Sequence, residues 1–201
     1  MVLVYEFLEY FGVSKRVIEA MNKIDRKLFV PHEFEESAYL DTPLPIGYGQ
    51  TISAPHMVGL MCEYLDLKEG DKVLEVGTGS GYNAAVMSIL VGKEGKIYSV
   101  EIVEQLYQRA KTILTNLSIE NVELFLSDGK LGLKEYAPYD KITVTCYARV
   151  IPPALIEQLK DGGSLLIPVG DEYVQVLRRI KKKGDKLVEE SLGNVRFVPM
   201  V

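Results

Sequence analysis

The chain is poor in the residues that cross-link a fold, ligate structural metal or anchor a protein in a membrane. Only two cysteines and two histidines occur in 201 residues. Cys62 and Cys146 stand far apart, form no Cys-x-x-Cys unit and have no histidine at ligand spacing. That argues against structural zinc and for a reducing compartment. The longest apolar runs are broken within a dozen residues, short of the ~20 that a membrane-spanning helix needs. The opening MVLVYEFLEYFGVSKR carries Glu6 and Glu9 but no basic n-region or small-residue cleavage site, so it does not read as a secretion signal. A cytoplasmic protein without a membrane partner is the expectation. Positive charge is also short, with 23 Lys and Arg against 28 Asp and Glu for a net charge of −5. The one basic run, Arg178 to Lys183, precedes Gly184-Asp185 and reads as a solvated hairpin end. Without a basic field to offset phosphate repulsion, nucleic acid is not an expected partner.

What is present is the balance of an ordinary globular domain, 47% hydrophobic and 25% charged. The length suits one domain over residues 1–201, and no internal repeat is visible. Residues 1–70 form a helical cap and an acceptor loop. Within them Val17, Ile18, Met21 and Ile24 make a helical stripe with Ser14 as its N-cap. Asp41 to Gln50 holds two prolines and two glycines and reads as a structured loop. Val58, Met61, Cys62 and Leu65 then mark a core-facing helix starting near Pro55.

From Asp71 onward, short apolar strands alternate with helical stretches. Strands are predicted at Lys72–Val76, Lys96–Val100, Val122–Leu126, Lys141–Thr145 and Ser164–Pro168. Helices are predicted at Asn83–Val91, Glu104–Asn116 and Pro153–Lys160. This alternation predicts an α/β, Rossmann-like, doubly wound and mostly parallel sheet over residues 71–201. The alternating segments Tyr173–Ile180 and Lys186–Val198, joined by Lys-Lys-Gly-Asp, close it with an antiparallel hairpin.

The first strand runs into Leu74-Glu-Val-Gly-Thr-Gly-Ser-Gly-Tyr82, with glycines at 77, 79 and 81. Glycine permits positive φ in a tight turn and lets a ligand approach the backbone, and ligands of open parallel sheets bind beyond the strands' carboxyl ends. Gly77, Thr78, Gly79, Ser80 and Gly81 are therefore candidate cofactor contacts. Acids follow at successive strand ends: Glu75, Glu101 and Asp128. Glu101 lies twenty residues past Gly81, where a carboxylate accepts the hydroxyl hydrogens of a ribose. A pyrophosphate dinucleotide would favour G-x-G-x-x-G, but Tyr82 occupies the sixth position, and no Lys-Ser/Thr follows for a P-loop. Glu75 would repel a pyrophosphate yet suits the cationic amino-acid end and sulfonium of S-adenosylmethionine. The glycine loop and its three acids resemble the class I methyltransferase pattern. That resemblance implies S-adenosyl-L-methionine as cofactor, with S-adenosyl-L-homocysteine as product, and Asp128 with Gly129 against the adenine amino group.

A sharper likeness precedes the loop. Pro43-Leu-Pro-Ile-Gly-Tyr-Gly-Gln-Thr-Ile-Ser-Ala-Pro-His-Met57 resembles the signature of the protein-L-isoaspartate O-methyltransferases. The resemblance continues through LEVGTGSGY, Ser127-Asp-Gly129, Ala137-Pro-Tyr-Asp140, Ile151 to Leu159, Gly162-Gly163, Leu166 to Gly170 and Val195 to Pro199. It implies transfer of methyl to isoaspartyl carboxylates of damaged proteins, with Ser53 as the active-site serine. A carboxylate acceptor is already ionised near neutral pH and needs placement more than a base. Ser53 and the backbone amides of the next helix start are the expected donors to it. Without the likeness, Ser53 reads equally well as a helix cap. Gln50, Thr51 and Ile52 are expected to line the cofactor or peptide pocket, and Tyr48 to be a wall residue. His56, a lone histidine in a first helical turn, reads as structural. Two features depart from the family: Cys146-Tyr-Ala-Arg-Val150 stands where small residues and proline are usual, and the sequence stops at Val201 where many members continue. Those departures point to altered substrate contacts and a different closure of the site.

Three rivals share parts of this pattern. A class I methyltransferase acting on a small molecule would not need the Pro43–Met57 segment. A nicotinamide oxidoreductase fits neither the glycine spacing nor the lack of an evident hydride-transfer set. A non-catalytic adenosylmethionine-binding module is opposed by Ser53 and the intact loop, though Tyr147 and Arg149 keep it open.

Overall fold

The computed structural model describes residues 4–201; the first three residues of the apolar opening and of the cap lie outside the described residues. Helix α1 (Lys15–Asn22) is followed by the hairpin β1 (Leu44–Gly47) and β2 (Gln50–Ile52), then by α2 (Pro55–Leu65). The sheet elements follow as β3 (Lys72–Val76), α3 (Tyr82–Val91), β4 (Lys96–Glu101), α4 (Glu104–Asn116), β5 (Val122–Leu126), β6 (Tyr139–Val144), α5 (Pro153–Glu157), β7 (Leu159–Gly170), β8 (Gln175–Lys183) and β9 (Lys186–Val195). The seven strands run in the order β5-β4-β3-β6-β7-β8-β9. The first five of these are parallel, and β8 and β9 are antiparallel to their neighbours. This is the expected doubly wound, mostly parallel sheet with its closing hairpin.

The chain leaves β3 toward one edge through β4 and β5, then returns to β3's other side as β6. Winding therefore reverses between β3 and β6, the switch point where a crevice opens beyond the strand ends. On one face α1, α2 and α3 bury a continuous core: Leu8, Val17, Met21, Val58, Leu65 and Met87 pack with Val73 and Ile97 of the sheet. On the other, Leu155 of α5 and the β5–β6 crossover cover Leu74, Ile142 and Leu165. That crossover has no α-helix. Buried Gln158 pins it, donating through Nε2 to the Leu131 carbonyl at 2.7 Å and accepting the Leu133 N–H at 2.9 Å.

Four expectations shift. Asp41 to Gln50 is not wholly irregular: β1 and β2 pair within it, around a turn in which Gly47, Tyr48 and Gly49 have φ of 93°, 55° and 70°. Tyr48 is 59% exposed at the tip of this hairpin and is no cavity wall. Helix α5 ends at Glu157 and β7 begins at Leu159, because Tyr139 of β6 donates its N–H to the Gln158 carbonyl at 2.9 Å. Ser14 stands at the N-cap position of α1 without a side-chain cap bond; its own N–H donates to Glu63 Oε2 at 2.9 Å.

Among the described residues, no helix is long and apolar enough to cross a membrane.

Candidate active site

The glycine loop leaves β3 and folds back over β4. Gly77 and Thr78 donate their N–H groups to the Val100 carbonyl at 2.9 and 3.0 Å. Gly77 has φ of 96°, and a Cβ there would meet Thr145 Oγ1 at 2.4 Å, so both conformation and space demand glycine. Thr145 follows β6, and its hydroxyl donates to the carbonyls of Gly77 (2.5 Å) and Val76 (3.1 Å), clasping the loop to the other side of the switch point.

Glu101 ends β4 and is only 6% exposed. Its Oε2 accepts the Gly79 N–H at 2.8 Å, and its Oε1 accepts those of Ile102 and Val103 at 2.9 Å each. The carboxylate is thus oriented by the glycine loop and by the start of α4, where negative charge is favourable. Gly129 forms part of the same wall. A Cβ there would lie 2.3 Å from Val76 Cγ1, so a larger residue would push the wall inward.

These groups line one crevice. Gln50, Thr51, Ile52, Ser53, Gly77, Thr78, Gly79, Ser80, Glu101 and Gly129 all contribute to it, with Val76, Val100, Ile102, Ser127, Thr145 and Cys146. Gly81, Glu75 and Asp128 do not. Gly81, with φ of 86°, is the N-cap of α3 and packs close to Ala110. Asp128 lies between two lining residues, and its Oδ1 accepts the Lys130 N–H at 2.9 Å. Glu75 is fully buried beneath the loop. Its Oε2 accepts from Ser99 (2.5 Å) and its Oε1 from Asn83 (2.7 Å), and Ser99 is linked to Thr78 at 2.6 Å. Burial pushes the Glu75 carboxyl up to about 7, against those two hydrogen bonds. It braces the loop from below.

The wall also contains residues that were not among the expected cofactor contacts. Thr145 and Cys146 follow the end of β6, so the strand-end rule covers them. Burial pushes the Cys146 thiol up to about 12, so it stays protonated at neutral pH. Phe197 and Val198 fall within the Val195–Pro199 segment of the resemblance, whereas Met200 and Val201 carry no local signal; all four line the crevice. Tyr147 ties them down, donating its N–H to the Val198 carbonyl at 2.8 Å and accepting the Met200 N–H at 2.9 Å. Gln175 Oε1 accepts the Phe197 N–H at 2.7 Å.

A second cleft adjoins the first. Pro43, Ala54, His56, Met57 and Asn194 to Arg196 line it, and Thr51, Ser53, Thr145, Phe197 and Val198 belong to both. Of Cys146 to Val150, expected to border an acceptor, none lines this cleft; β9 and the residues after it do so instead. Ser53 is not a helix cap: Ala54 holds that position, with no side-chain bond. Nor does the start of α2 offer the expected row of amides. Pro55 has no N–H, His56 donates its own to Asp41 Oδ1 at 2.9 Å, and Met57 donates to the Ala54 carbonyl at 3.0 Å. Asp41 also holds His56 Nδ1 at 2.9 Å, while the ring stacks on Phe11 at 5.3 Å. The sequence showed no histidine–acid pair, because its members come from separate segments.

A parallel sheet whose glycine loop and strand-end carboxylate shape a crevice at the switch point defines a nucleoside-binding domain of the methyltransferase type. A family model described as protein-L-isoaspartate(D-aspartate) O-methyltransferase matches residues 3–201, and the chain belongs to that family. A protein-L-isoaspartate O-methyltransferase of Fervidobacterium nodosum is 66% identical over 198 residues, covering 98% of this chain and 100% of its own. One of Thermosipho melanesiensis is 62% identical over 197 residues, with 98% and 100% covered. A solved protein-L-isoaspartate O-methyltransferase superposes with a TM-score of 0.91 at 34% identity; the match covers 98% of this chain and 64% of that longer one. A putative relative from Plasmodium falciparum, solved in complex with S-adenosyl-L-homocysteine, gives a TM-score of 0.87 at 29% identity, with 98% and 96% covered.

Proposed function

We propose that this protein repairs damaged proteins by moving a methyl group from S-adenosyl-L-methionine to the α-carboxylate of L-isoaspartyl residues. The observation that carries this reading is the meeting of two clefts, which share Ser53 together with Thr51, Thr145, Phe197 and Val198. The first cleft suits the cofactor. Glu101 presents a fixed carboxylate for ribose hydroxyls, Val76, Val100 and Ile102 supply apolar surface for a purine, and Gly129 leaves room beside it. Gly77 to Ser80, Gln50, Thr51 and Ile52 complete the walls, Asp128 stands at the adenine end, and Glu75 and Gly81 act by holding the loop. The bound cofactor supplies an electrophilic methyl group on a positively charged sulfur.

The protein's own task is placement. The acceptor carboxylate is ionised near neutral pH, so no base is required. Thr145's hydroxyl is committed to two carbonyls, whereas that of Ser53 makes no hydrogen bond among the described residues and donates to the acceptor. Holding one carboxylate oxygen in line with the methyl converts a bimolecular encounter into a local one. The carboxylate oxygen forms the new bond to methyl carbon as the carbon–sulfur bond breaks, and both charges are lost. The ester then closes to a succinimide when the following backbone nitrogen expels methanol.

Isoaspartyl and aspartyl residues differ by where one methylene lies, and shape alone discriminates one methylene by only about 1–3 kcal/mol. Choice between them therefore needs the peptide backbone gripped in the second cleft, by Pro43, Thr51 and the Asn194–Val198 segment. The substrates are proteins and peptides, and the work is done in the cytoplasm. Methyl transfer to an isoaspartyl peptide and to its aspartyl twin tests the proposal, with efficient reaction expected only for the first. Equal rates on both, or activity confined to a small metabolite, would overturn the repair reading.

A further inference from the structure

Arg26 is 0% exposed. Its Nε donates to the Ala38 carbonyl at 2.8 Å, and one terminal nitrogen, Nη2, donates to the Ser53 carbonyl at 2.7 Å. The other, Nη1, is buried and makes no hydrogen bond with the described residues. Arg26 takes part in none of the salt bridges among the described residues. Instead, its guanidinium lies over the face of Tyr82, 5.1 Å from the ring centroid. Burial draws its pKa down from the usual arginine value, but arginine starts so far above neutrality that the charge stays.

A buried cation without an ion-pair partner is costly to keep. Neutral residues of similar volume would fill the same space, and a fold that only needed two carbonyls satisfied could use a neutral donor. Its position gives the charge a use. Arg26 holds the backbone of Ser53, one of the five residues shared by the two clefts, and covers Tyr82, which lines the first. The start of α2, meanwhile, has spent its amides on Asp41 and Ala54. The substrate in the proposed reaction brings an anion to a place where one free hydroxyl is its identified neutral donor.

We propose that Arg26 is a positioning residue whose buried charge, delivered behind Ser53, selects a carboxylate acceptor over an uncharged group of the same shape. This rests on the isoaspartyl reading of the two clefts. At an effective dielectric near 20, a unit charge is worth about one order of magnitude in affinity at a separation of roughly 12 Å, and more when nearer. Because the transfer consumes the acceptor's negative charge, the benefit falls on binding and not on the chemical step. Loss of the charge therefore raises KM for the acceptor more than it lowers kcat.

The test compares an isoaspartyl peptide with its α-carboxamide twin, measuring binding of each to the full-length protein saturated with S-adenosyl-L-homocysteine. Wild-type protein should prefer the carboxylate. Arg26→Gln should reduce that preference about tenfold, with S-adenosyl-L-homocysteine affinity nearly unchanged. Arg26→Lys, which keeps the charge but cannot reach both carbonyls, should retain the preference even where stability falls. A purely structural role would weaken both peptides alike, and an unchanged preference in Arg26→Gln would overturn the proposal. If the glutamine variant does not fold, loss of the preference in Arg26→Lys overturns it equally. Failure of the wild-type protein to methylate any isoaspartyl peptide would instead refute the functional reading beneath it.

Discussion

Replacing Glu101 by glutamine separates the loop bracing observed at this carboxylate from the ribose contact proposed for it. In the wild type, Oε1 accepts from the Ile102 and Val103 amides and Oε2 from Gly79. Glutamine is nearly isosteric, and its carbonyl oxygen can keep the two contacts at the start of α4. Its NH2 then faces the Gly79 N–H, donor against donor, in a site where the side chain is only 6% exposed. The lost charge-assisted bond costs about 1.5–3 kcal/mol, and the lost charge near the N-terminus of α4 about 0.3–1 kcal/mol more. The sum, about 2–4 kcal/mol, corresponds to a fall in Tm of roughly 5–15 °C for a chain of this size. The ribose contact is a separate quantity. If Glu101 accepts the hydroxyl hydrogens, the charged half of that interaction also disappears, and the Kd for S-adenosyl-L-homocysteine rises roughly tenfold to a hundredfold. Urea unfolding of the free protein measures the first effect, and titration calorimetry on the folded variant the second. A stability loss with unchanged Kd would reduce Glu101 to a loop brace. Unchanged stability would show that the Gly79 bond contributes nothing.

Ser53→Ala should lower methyl transfer far more than it alters cofactor affinity, and should leave stability nearly untouched because Ala54, not Ser53, caps α2. A variant of normal turnover would remove Ser53 from the acceptor site. Glu75 gives a pH signature. Its native carboxyl keeps a proton up to about pH 7 because of burial, while the unfolded chain releases it near pH 4.3. Stability should therefore fall as pH rises between those values, by about 4 kcal/mol in total. Glu75→Gln, which stays neutral, should be flatter between pH 5 and 8 in denaturant midpoint; parallel profiles for the two proteins would refute the assignment.

Short-range pattern makes part of this molecule legible in its sequence. KVLEV, VELFL and the Glu104–Asn116 helix carry their own periodicity, and their observed bounds coincide with the expected ones. GTGSG advertises a turn that only glycine tolerates, and Glu101 follows at a spacing set by one strand-turn-helix-strand unit. Long-range contacts are not legible in this way. The end of α5 moved because a β6 amide takes the Gln158 carbonyl. Asp41 reaches His56, and Arg26 reaches Ser53, only after the cap has packed on the sheet. Phe197, Val198, Met200 and Val201 reach the wall of the first cleft through bonds to Tyr147 and Gln175, which no local motif encodes. Sequence by itself determined the parallel strands, the helices between them and the glycine loop, because neighbours within a few residues settle each, but not the pairing of β1 with β2. Tertiary structure alone decided which side chains share the two clefts and where one buried charge comes to rest, because those distances exist only once separate segments compete for the same space and the same hydrogen-bond partners.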